Sequence, residues 1–346
     1  MLAAATVLPQ AATGRFRSQS YPERVRALLI VNPHATSTTR LRRDVIVRAL
    51  SSAVELEVVE TRYRGHATSL AAAARAAGFG LLLTFGGDGT VNEAVNGILG
   101  PPGAGGVVDA DGRMLVACDD LPALAALPGG NANVFTHAVG LPADPVDATG
   151  KMLQALVQGR QRRISVGMAG TRYFTFNAGL GMDAEVVRAV EGHRASGAAA
   201  TPGLYMRMIV RQYYNVTDRR HPALTLERHG KPADGPLFLI IISKTAPWTY
   251  LGNRPVNTSP QASFDAGLDV FAMRSMRTLS TLRTTRQMLS RAARTPHGRS
   301  VLSLHDESEV AVSSARPVAF QLDGEYVGER ECVRFQSVPN ALRVIA

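Results

Sequence analysis

The stretch that most constrains the fold of this chain is Leu81–Glu93, LLLTFGGDGTVNE. An apolar run predicts a buried strand at Leu81–Phe85, which meets a turn with three glycines, and a helix is predicted directly afterwards at Val91–Leu99. Glycines let a backbone approach a phosphate closely, and a helix N-terminus offers unpaired N–H groups and the positive end of its dipole. The segment therefore predicts either a phosphate-binding loop or an ordinary tight turn that Asp88 caps.

Strand and helix patterns alternate through the first 150 residues. The predicted strands are Val25–Val31, Leu56–Thr61, Leu81–Phe85 and Leu124–Leu127, and the predicted helices include Arg40–Ser52, His66–Ala77 and Val146–Gln158. Such alternation indicates an α/β domain with a mostly parallel sheet. After Arg160, short strand patterns recur with few helices, which predicts a β-rich second domain. We expect a flexible tail at 1–24, an α/β domain at 25–150 and a β-rich domain at 151–346.

Composition and charge limit the class of protein. With 45% hydrophobic and 19% charged residues, the 346-residue chain is neither disordered nor a coiled coil. Two cysteines are too few for a disulfide scaffold or a zinc cluster, which fits a reducing compartment. No apolar run is long enough to span a bilayer, and residues 2–13 lack the basic start of a signal peptide. The net charge of +10 favours phosphates, anionic lipid surfaces or nucleic acid as partners, without choosing among them.

Three further motifs lie where strands end. Asn32–Thr36 follows the first strand, and Leu127–Phe135 (LPGGNANVF) contains a second glycine turn. Because the carboxyl ends of parallel strands meet at one sheet edge, these turns and Gly86–Thr90 are expected to face one ligand. Near the C-terminus, Leu322–Glu325 (LDGE) places two carboxylates around a glycine, a pair suited to metal or proton chemistry but also typical of a hairpin turn. Asp88 itself has the chemistry to hold Mg²⁺ or to take a proton from a hydroxyl.

Taken in chain order, these motifs resemble the diacylglycerol kinase catalytic-domain family, which includes bacterial lipid kinases and is similar to the sphingosine and ceramide kinases. The resemblance covers roughly residues 25–345. The segments that carry it are Asn32-Pro33, Gly86–Glu93, Pro128–Phe135, Asn177–Ala184, Phe264–Asp269 and Leu322–Glu325.

The resemblance implies an α/β nucleotide domain, a β-sandwich-like lipid domain and an active site in the cleft between them. It implies a kinase that uses ATP and Mg²⁺ to phosphorylate the hydroxyl of diacylglycerol or a related lipid alcohol, in lipid metabolism. Nucleotide contacts are then expected from Asn32, Pro33, His34, Ala35, Thr36, Thr61, Gly86, Gly87, Asp88, Gly89, Thr90, Val91, Asn92, Glu93, Gly130 and Asn131.

The resemblance also assigns the acidic residues. Glu325 is the first choice for the catalytic base and Asp88 the second, with Asp323 beside them. The expected Mg²⁺ ligands are Asp323, Glu325 and Asp265, and the lipid head group is expected near Asp183 and Asn177. Two positions depart from the family pattern. Ala266 stands where many members carry an aspartate for a structural magnesium ion, and Asn131 stands where a threonine is common.

The expected partners are a lipid substrate at a membrane surface and anionic phospholipid, but not nucleic acid, for which no binding motif is present. Candidate contacts with the lipid surface are the arginines within Gly203–Tyr214 and Thr281–Arg294 and the aromatic segment Pro247–Leu251. A homodimer is left open, and a cytoplasmic protein bound peripherally to membrane is expected. Two alternatives remain at this point. One is a soluble kinase similar to NAD kinases, which share the GGDGT turn, and the other is a catalytically weak lipid- or nucleotide-binding regulator, which Ala266 and Asn131 favour.

Overall fold

The computed structural model describes residues 24–103, 106–195, 201–252 and 254–346, so nearly all of the predicted tail lies outside the described residues. The strands are β1 (Arg26–Val31), β2 (Glu55–Glu60), β3 (Leu81–Gly86), β4 (Ala123–Pro128), β5 (Arg162–Ala169), β6 (Arg172–Phe174), β7 (Asn177–Gly181), β8 (Leu224–Glu227), β9 (Asp234–Leu237), β10 (Leu239–Ser243), β11 (Thr249–Leu251), β12 (Arg254–Val256), β13 (Leu268–Met273), β14 (Val301–Glu307), β15 (Glu309–Leu322) and β16 (Glu325–Val344). The helices are α1 (Arg40–Ser51), α2 (His66–Ala76), α3 (Asp88–Leu99), α4 (Val134–Ala138), α5 (Pro145–Val157), α6 (Met182–Ala195), α7 (Pro202–Arg211) and α8 (Thr278–Met288). A 3₁₀ turn covers Cys118–Asp120, and a π-helical turn, Gln212–Val216, follows α7.

The N-terminal strands form a parallel sheet in the order β2-β1-β3-β4. Successive residues alternate between its two faces, as strand geometry requires. Leu29 and Leu83 pack with helices α1 and α5, whereas Leu28 and Leu82 pack with α2 and α3. The carboxyl ends of the four strands therefore meet at one edge, where the predicted ligand-binding turns lie.

The C-terminal half contributes antiparallel strands in the order β14-β13-β10-β7-β15-β16. Their apolar side chains form a second core that includes Leu180, Ile240, Val270, Phe320 and Phe335. The predicted α/β plus β fold class is confirmed.

Strand β16 connects the two halves. After its hairpin with β15 it pairs with β5, and its end pairs in parallel with β4 through Val344 and Leu124. Val338 and Leu342 of β16 consequently lie in the same core as Leu28 of β1. The division at residue 150 stays a prediction, and the last strand returns to the α/β layer across it.

Helices α6, α7 and α8 add more helix to the C-terminal half than the short strand patterns indicate. Tyr213 of the π-helical turn packs on Ile241 and Phe271 of the antiparallel strands. Met208 of α7 packs on Val190 of α6. No helix in the described part of the chain has both the length and the apolar composition needed to cross a membrane.

Candidate active site

Two glycine loops meet backbone to backbone at the carboxyl ends of β3 and β4. The Gly129 N–H donates to the Gly86 carbonyl at 2.8 Å. A Cβ atom at Gly129 would lie 2.9 Å from the Gly86 Cα, and one at Gly130 would lie 2.7 Å from the Gly87 Cα. Side chains at these positions would push the loops apart, so glycine is required for close approach rather than for an unusual backbone angle.

The turn after β1 lies against the same loop. Asn32 donates from its side-chain amide to the Thr90 hydroxyl at 3.3 Å and accepts from the His34 N–H at 3.0 Å. Pro33, His34 and Thr36 are exposed, and Ala35 is partly buried. Thr61 lies beside this turn, since its N–H donates to the Val31 carbonyl at 2.8 Å. The structure thus brings the predicted nucleotide-contact turns of β1, β2 and β3 to one edge.

Asp88 binds the second glycine loop rather than pointing freely into the edge. Its two carboxylate oxygens accept the backbone N–H groups of Val134 and Phe135, each at 3.0 Å, at the start of α4. Burial raises the pKa of Asp88 to about 6, and these donated hydrogen bonds oppose the rise. Asp88 therefore fastens the GGDGT loop to the GGNAN loop.

Glu93 has a similar arrangement. Its carboxylate accepts the N–H of Gly65 at 2.8 Å and the N–H of Ala67 at 3.1 Å. These groups belong to the loop after β2 and the first turn of α2. Glu93 therefore fixes the position of that loop, which also carries Arg64.

Asp323 is buried and fully hydrogen-bonded. One carboxylate oxygen accepts the N–H groups of Phe176 and Asn177 at 2.9 and 3.1 Å. The other accepts the Thr175 N–H and hydroxyl at 2.6 and 2.8 Å and the Asn92 amide at 2.8 Å. Burial raises the pKa of Asp323, and the donated hydrogen bonds oppose the rise. Asn92 lies on α3, so this carboxylate joins the α/β layer to the start of β7.

Glu325 lies two residues further on and has different partners. Its Oε1 accepts the Arg64 Nε–H at 2.7 Å and a second bond from the same guanidinium, and its Oε2 accepts the Arg172 Nη2–H at 2.5 Å. The Arg172 guanidinium also donates to the Asn92 Oδ1 at 3.1 Å. The Glu325 side chain keeps 18% of its surface exposed, and that of Arg64 keeps 62%. A carboxylate that, among the described residues, only arginine side chains bind thus lies where the two halves of the molecule meet.

Asp183 and Asn177 both contact Gln321 of β15, two residues before Asp323. Buried Gln321 donates to the Asn177 Oδ1 at 2.7 Å and to the Asp183 Oδ2 at 2.8 Å. Burial raises the pKa of Asp183 to about 6, although the bond from Gln321 opposes the rise. The two predicted head-group residues are therefore neighbours, joined by one amide.

Asp265 is not brought to this group. It is exposed and pairs with Arg162 at 2.5 Å. Next to it, the buried ammonium of Lys244 donates to the carbonyls of Ala266 and Gly267 and to the Ser337 hydroxyl. Burial lowers the pKa of Lys244 to about 8, against the opposing effect of nearby aspartates. An ammonium group therefore binds the carbonyl oxygens around Ala266.

A resident magnesium ion does not fit the predicted ligands in this arrangement. Five donated hydrogen bonds occupy the Asp323 carboxylate, and two guanidinium groups occupy that of Glu325. Over the described ranges, no three His, Cys, Asp or Glu side chains are grouped as a metal site. Magnesium commonly binds through substrate phosphates with few protein carboxylates. The structure is consequently better suited to a magnesium ion that arrives on a nucleotide.

Sequence reasoning does not identify Arg64, Arg172 and Gln321 as site residues. Arg64 and Arg172 are 261 and 153 positions from Glu325, and arginines are common in this basic chain. The aromatic segment at residue 248 also differs from expectation. Trp248 is partly buried beside the core around Tyr213, and the Tyr250 ring lies 5.1 Å from that of His137.

The chain combines a parallel α/β layer with a layer of antiparallel strands. Two glycine loops touch at the carboxyl edge of the parallel strands. This combination of fold and site is what defines the class of protein. Residues 26–169 match the diacylglycerol kinase catalytic domain family. The family resemblance of the motifs is therefore confirmed over these residues, and the chain is similar over most of its length to bacterial proteins named as diacylglycerol kinases.

Individual proteins agree with this assignment. A diacylglycerol kinase of Staphylococcus saprophyticus is 24% identical over 308 residues, which is 88% of this chain and 90% of that protein. A YegS-like lipid kinase of Chromohalobacter salexigens is 27% identical over 299 residues, 86% of each chain. Two solved structures from Bacillus anthracis strain Sterne, at 18% and 19% identity, superpose with TM-scores of 0.65 and 0.70 over 94% of this chain and 98% of theirs. These structures support the fold.

Proposed function

We propose that the protein is an ATP-dependent lipid kinase that transfers the γ-phosphate to the hydroxyl of diacylglycerol or a related lipid alcohol. The family relationship supports a lipid kinase in general, and the relatives' names supply diacylglycerol as the first substrate to test. The touching glycine loops and the N-terminus of α3 supply backbone N–H groups suited to phosphate oxygens.

The observation that carries the proposal is the difference between the acids. Backbone N–H groups bind both carboxylate oxygens of Asp88, and five donated hydrogen bonds occupy the carboxylate of Asp323. Among the described residues, only side chains bind the carboxylate of Glu325. Side chains can move aside when a substrate arrives, but the backbone of a folded loop cannot do so cheaply. Glu325 is therefore the acid that is free to meet a substrate hydroxyl.

In the reaction, the lipid hydroxyl oxygen forms a bond to the γ-phosphorus, and the bond from that phosphorus to the β–γ bridging oxygen breaks. The hydroxyl proton passes to the Glu325 carboxylate, and ADP leaves. Arg64 and Arg172, released from Glu325, would then pair with the transferring phosphoryl group. Phosphoryl transfer depends mainly on such positioning and charge neutralisation. Magnesium enters as part of the MgATP substrate.

Asp183 is the proposed contact for the lipid head group. Its pKa of about 6 leaves it largely ionised at neutral pH, so it can accept a hydrogen bond from a lipid hydroxyl. Gln321 holds it in place from the strand that leads into the hairpin.

The test is the rate of phosphate transfer from labelled ATP to diacylglycerol in mixed micelles by Glu325→Gln. We expect a fall of about 10²- to 10⁴-fold in kcat, the usual contribution of a general base. The matched control is Glu329→Gln, since Glu329 lies on the same strand and also pairs with an arginine, Arg188, at 3.1 Å. A Glu325→Gln protein that keeps its rate would remove Glu325 from the chemistry.

A further inference from the structure

The surface formed by α7, the π-helical turn and α8 combines exposed apolar side chains with arginines that form no ion pair with a described residue. Along α7 and the turn, Met206, Val210 and Tyr214 recur every four residues and are 42%, 50% and 58% exposed. On α8, Leu279 and Leu282 are 84% and 60% exposed. Residues three or four apart share one face of a helix, so each element presents an apolar stripe to solvent.

The two stripes adjoin. Buried Tyr213 donates from its hydroxyl to the Met276 carbonyl at 2.8 Å, directly before α8. Its neighbour Tyr214 lines a surface pocket of about 480 Å³ together with Arg277 and Thr278, next to Leu279. We call this combined surface the docking face.

The charge of the docking face is predominantly positive. The one acidic residue lining its pocket, Asp218, is paired with His221 at 2.8 Å and with Arg316 at 3.7 Å. Between Asp269 and Asp306 the sequence has seven arginines and no acidic residue, and residues 201–217 contain Arg207 and Arg211 and no acidic residue. Arg207, Arg211, Arg283 and Arg286 are exposed, and the structure gives them no ion pair with any described residue. Elsewhere arginines are commonly paired, as Arg334 is with Glu309 at 2.7 Å.

We propose that the docking face binds the surface of an anionic phospholipid bilayer, with Leu279 and Leu282 entering the interface and the arginines contacting lipid phosphates. Amphipathic helices with a cationic rim bind bilayers in this way. Self-association through this face would set arginines against arginines, which is unfavourable. Nucleic acid would satisfy the arginines but would leave the aliphatic side chains in water.

The docking face lies next to the helix that carries the proposed lipid-contact residue Asp183. Met208 on the buried side of α7 packs against Val190 of α6, and the first turn of α6 carries Asp183. The proposal about the docking face does not depend on catalysis, because vesicle binding is measured without ATP.

The experiment is co-sedimentation of the full chain with phosphatidylcholine vesicles that contain or lack phosphatidylglycerol. Binding is expected only with phosphatidylglycerol and is expected to weaken with salt. Arg283→Gln/Arg286→Gln should lower vesicle affinity about 20- to 30-fold, at about fivefold per arginine. Leu279→Ser/Leu282→Ser should also lose binding, with an unchanged melting temperature because both side chains are exposed.

The control is Arg40→Gln/Arg48→Gln on α1, which removes two exposed arginines that have no ion pair with a described residue. It makes the same charge change on the α/β layer and should keep wild-type binding. Equal loss in the control would mean that net charge, and not the docking face, binds the vesicles. Equal binding to neutral vesicles, a dimer that Leu279→Ser/Leu282→Ser dissociates, or preferential binding of a DNA duplex would each overturn the proposal.

A protein that binds the vesicles but phosphorylates no lipid would overturn the proposed function and leave the docking face intact. Conversely, transfer to a lipid in micelles without vesicle binding would overturn the docking face alone.

Discussion

The substitution Asp323→Asn tests whether the Asp323 carboxylate stabilises the fold, in contrast to the catalytic role proposed for Glu325. The substitution keeps the shape of the side chain but replaces one oxygen with an NH₂ group. Every hydrogen-bond partner of the Asp323 carboxylate donates to it, and two donors, the N–H groups of Phe176 and Asn177, bind the less occupied oxygen. The asparagine amide therefore leaves at least two buried N–H groups without an acceptor. The backbone at 323 has φ 47°, which asparagine tolerates, so no strain is added there.

The expected loss follows from these two groups. An unsatisfied buried donor costs about 1–3 kcal/mol, so the free energy of unfolding should fall by about 2–6 kcal/mol. At about 2 °C per kcal/mol for a chain of this size, the melting temperature should fall by about 4–12 °C.

The assay is thermal unfolding followed by circular dichroism, beside the transfer assay. Glu325→Gln is the control, because its partners are partly exposed arginines and such pairs contribute about 0–1 kcal/mol. We expect Asp323→Asn to lose stability and Glu325→Gln to lose turnover. An Asp323→Asn protein with wild-type stability but no turnover would refute the structural role.

Two further variants test the contact between the glycine loops and the protonation of the partly buried Asp183. Gly130→Ala should lower the free energy of unfolding by about 1–3 kcal/mol and raise KM for ATP, because its Cβ would lie 2.7 Å from the Gly87 backbone. The control is Gly150→Ala on α5, whose Cβ meets open space and should cost no stability. Equal effects of the two variants would contradict the close contact between the loops. Asp183 has a folded-state pKa of about 6, above its ordinary value, so its contribution to stability is complete below about pH 4 and is lost as pH rises through 6. Asp183→Asn should remove up to about 1.4 kcal/mol per pH unit from that slope in urea unfolding at pH 4, 5 and 6, and an unchanged slope would mean that Asp183 is not buried as an acid.

The sequence is most informative where one local signal decides the structure. Strands β1, β3 and β4 are continuous apolar runs, as strands covered on both faces usually are, and their ends at Asn32, Gly86 and Gly129 follow from Pro and Gly. Strand β15 is harder to predict, because Ser313 to Pro317 interrupts its apolar pattern. The structure carries the strand through this stretch by a register shift between Ser313 and Val318.

The site is less predictable than the fold because its carboxylates look alike in sequence. Only tertiary packing places backbone N–H groups on Asp88 and Asp323 and guanidinium groups on Glu325. The buried Lys244 is similar. Nothing near it in sequence indicates that its ammonium reaches the carbonyls around Ala266.

Lipid kinase activity is tested most directly by identifying the product of phosphate transfer from γ-labelled ATP. Diacylglycerol, monoacylglycerol, sphingosine, ceramide and phosphatidylglycerol would be offered in mixed micelles, with NAD as a soluble acceptor. We expect label in a lipid alcohol, with diacylglycerol first, and none in NAD. Label in NAD, or none in any acceptor from a folded protein that binds ATP, would contradict this expectation.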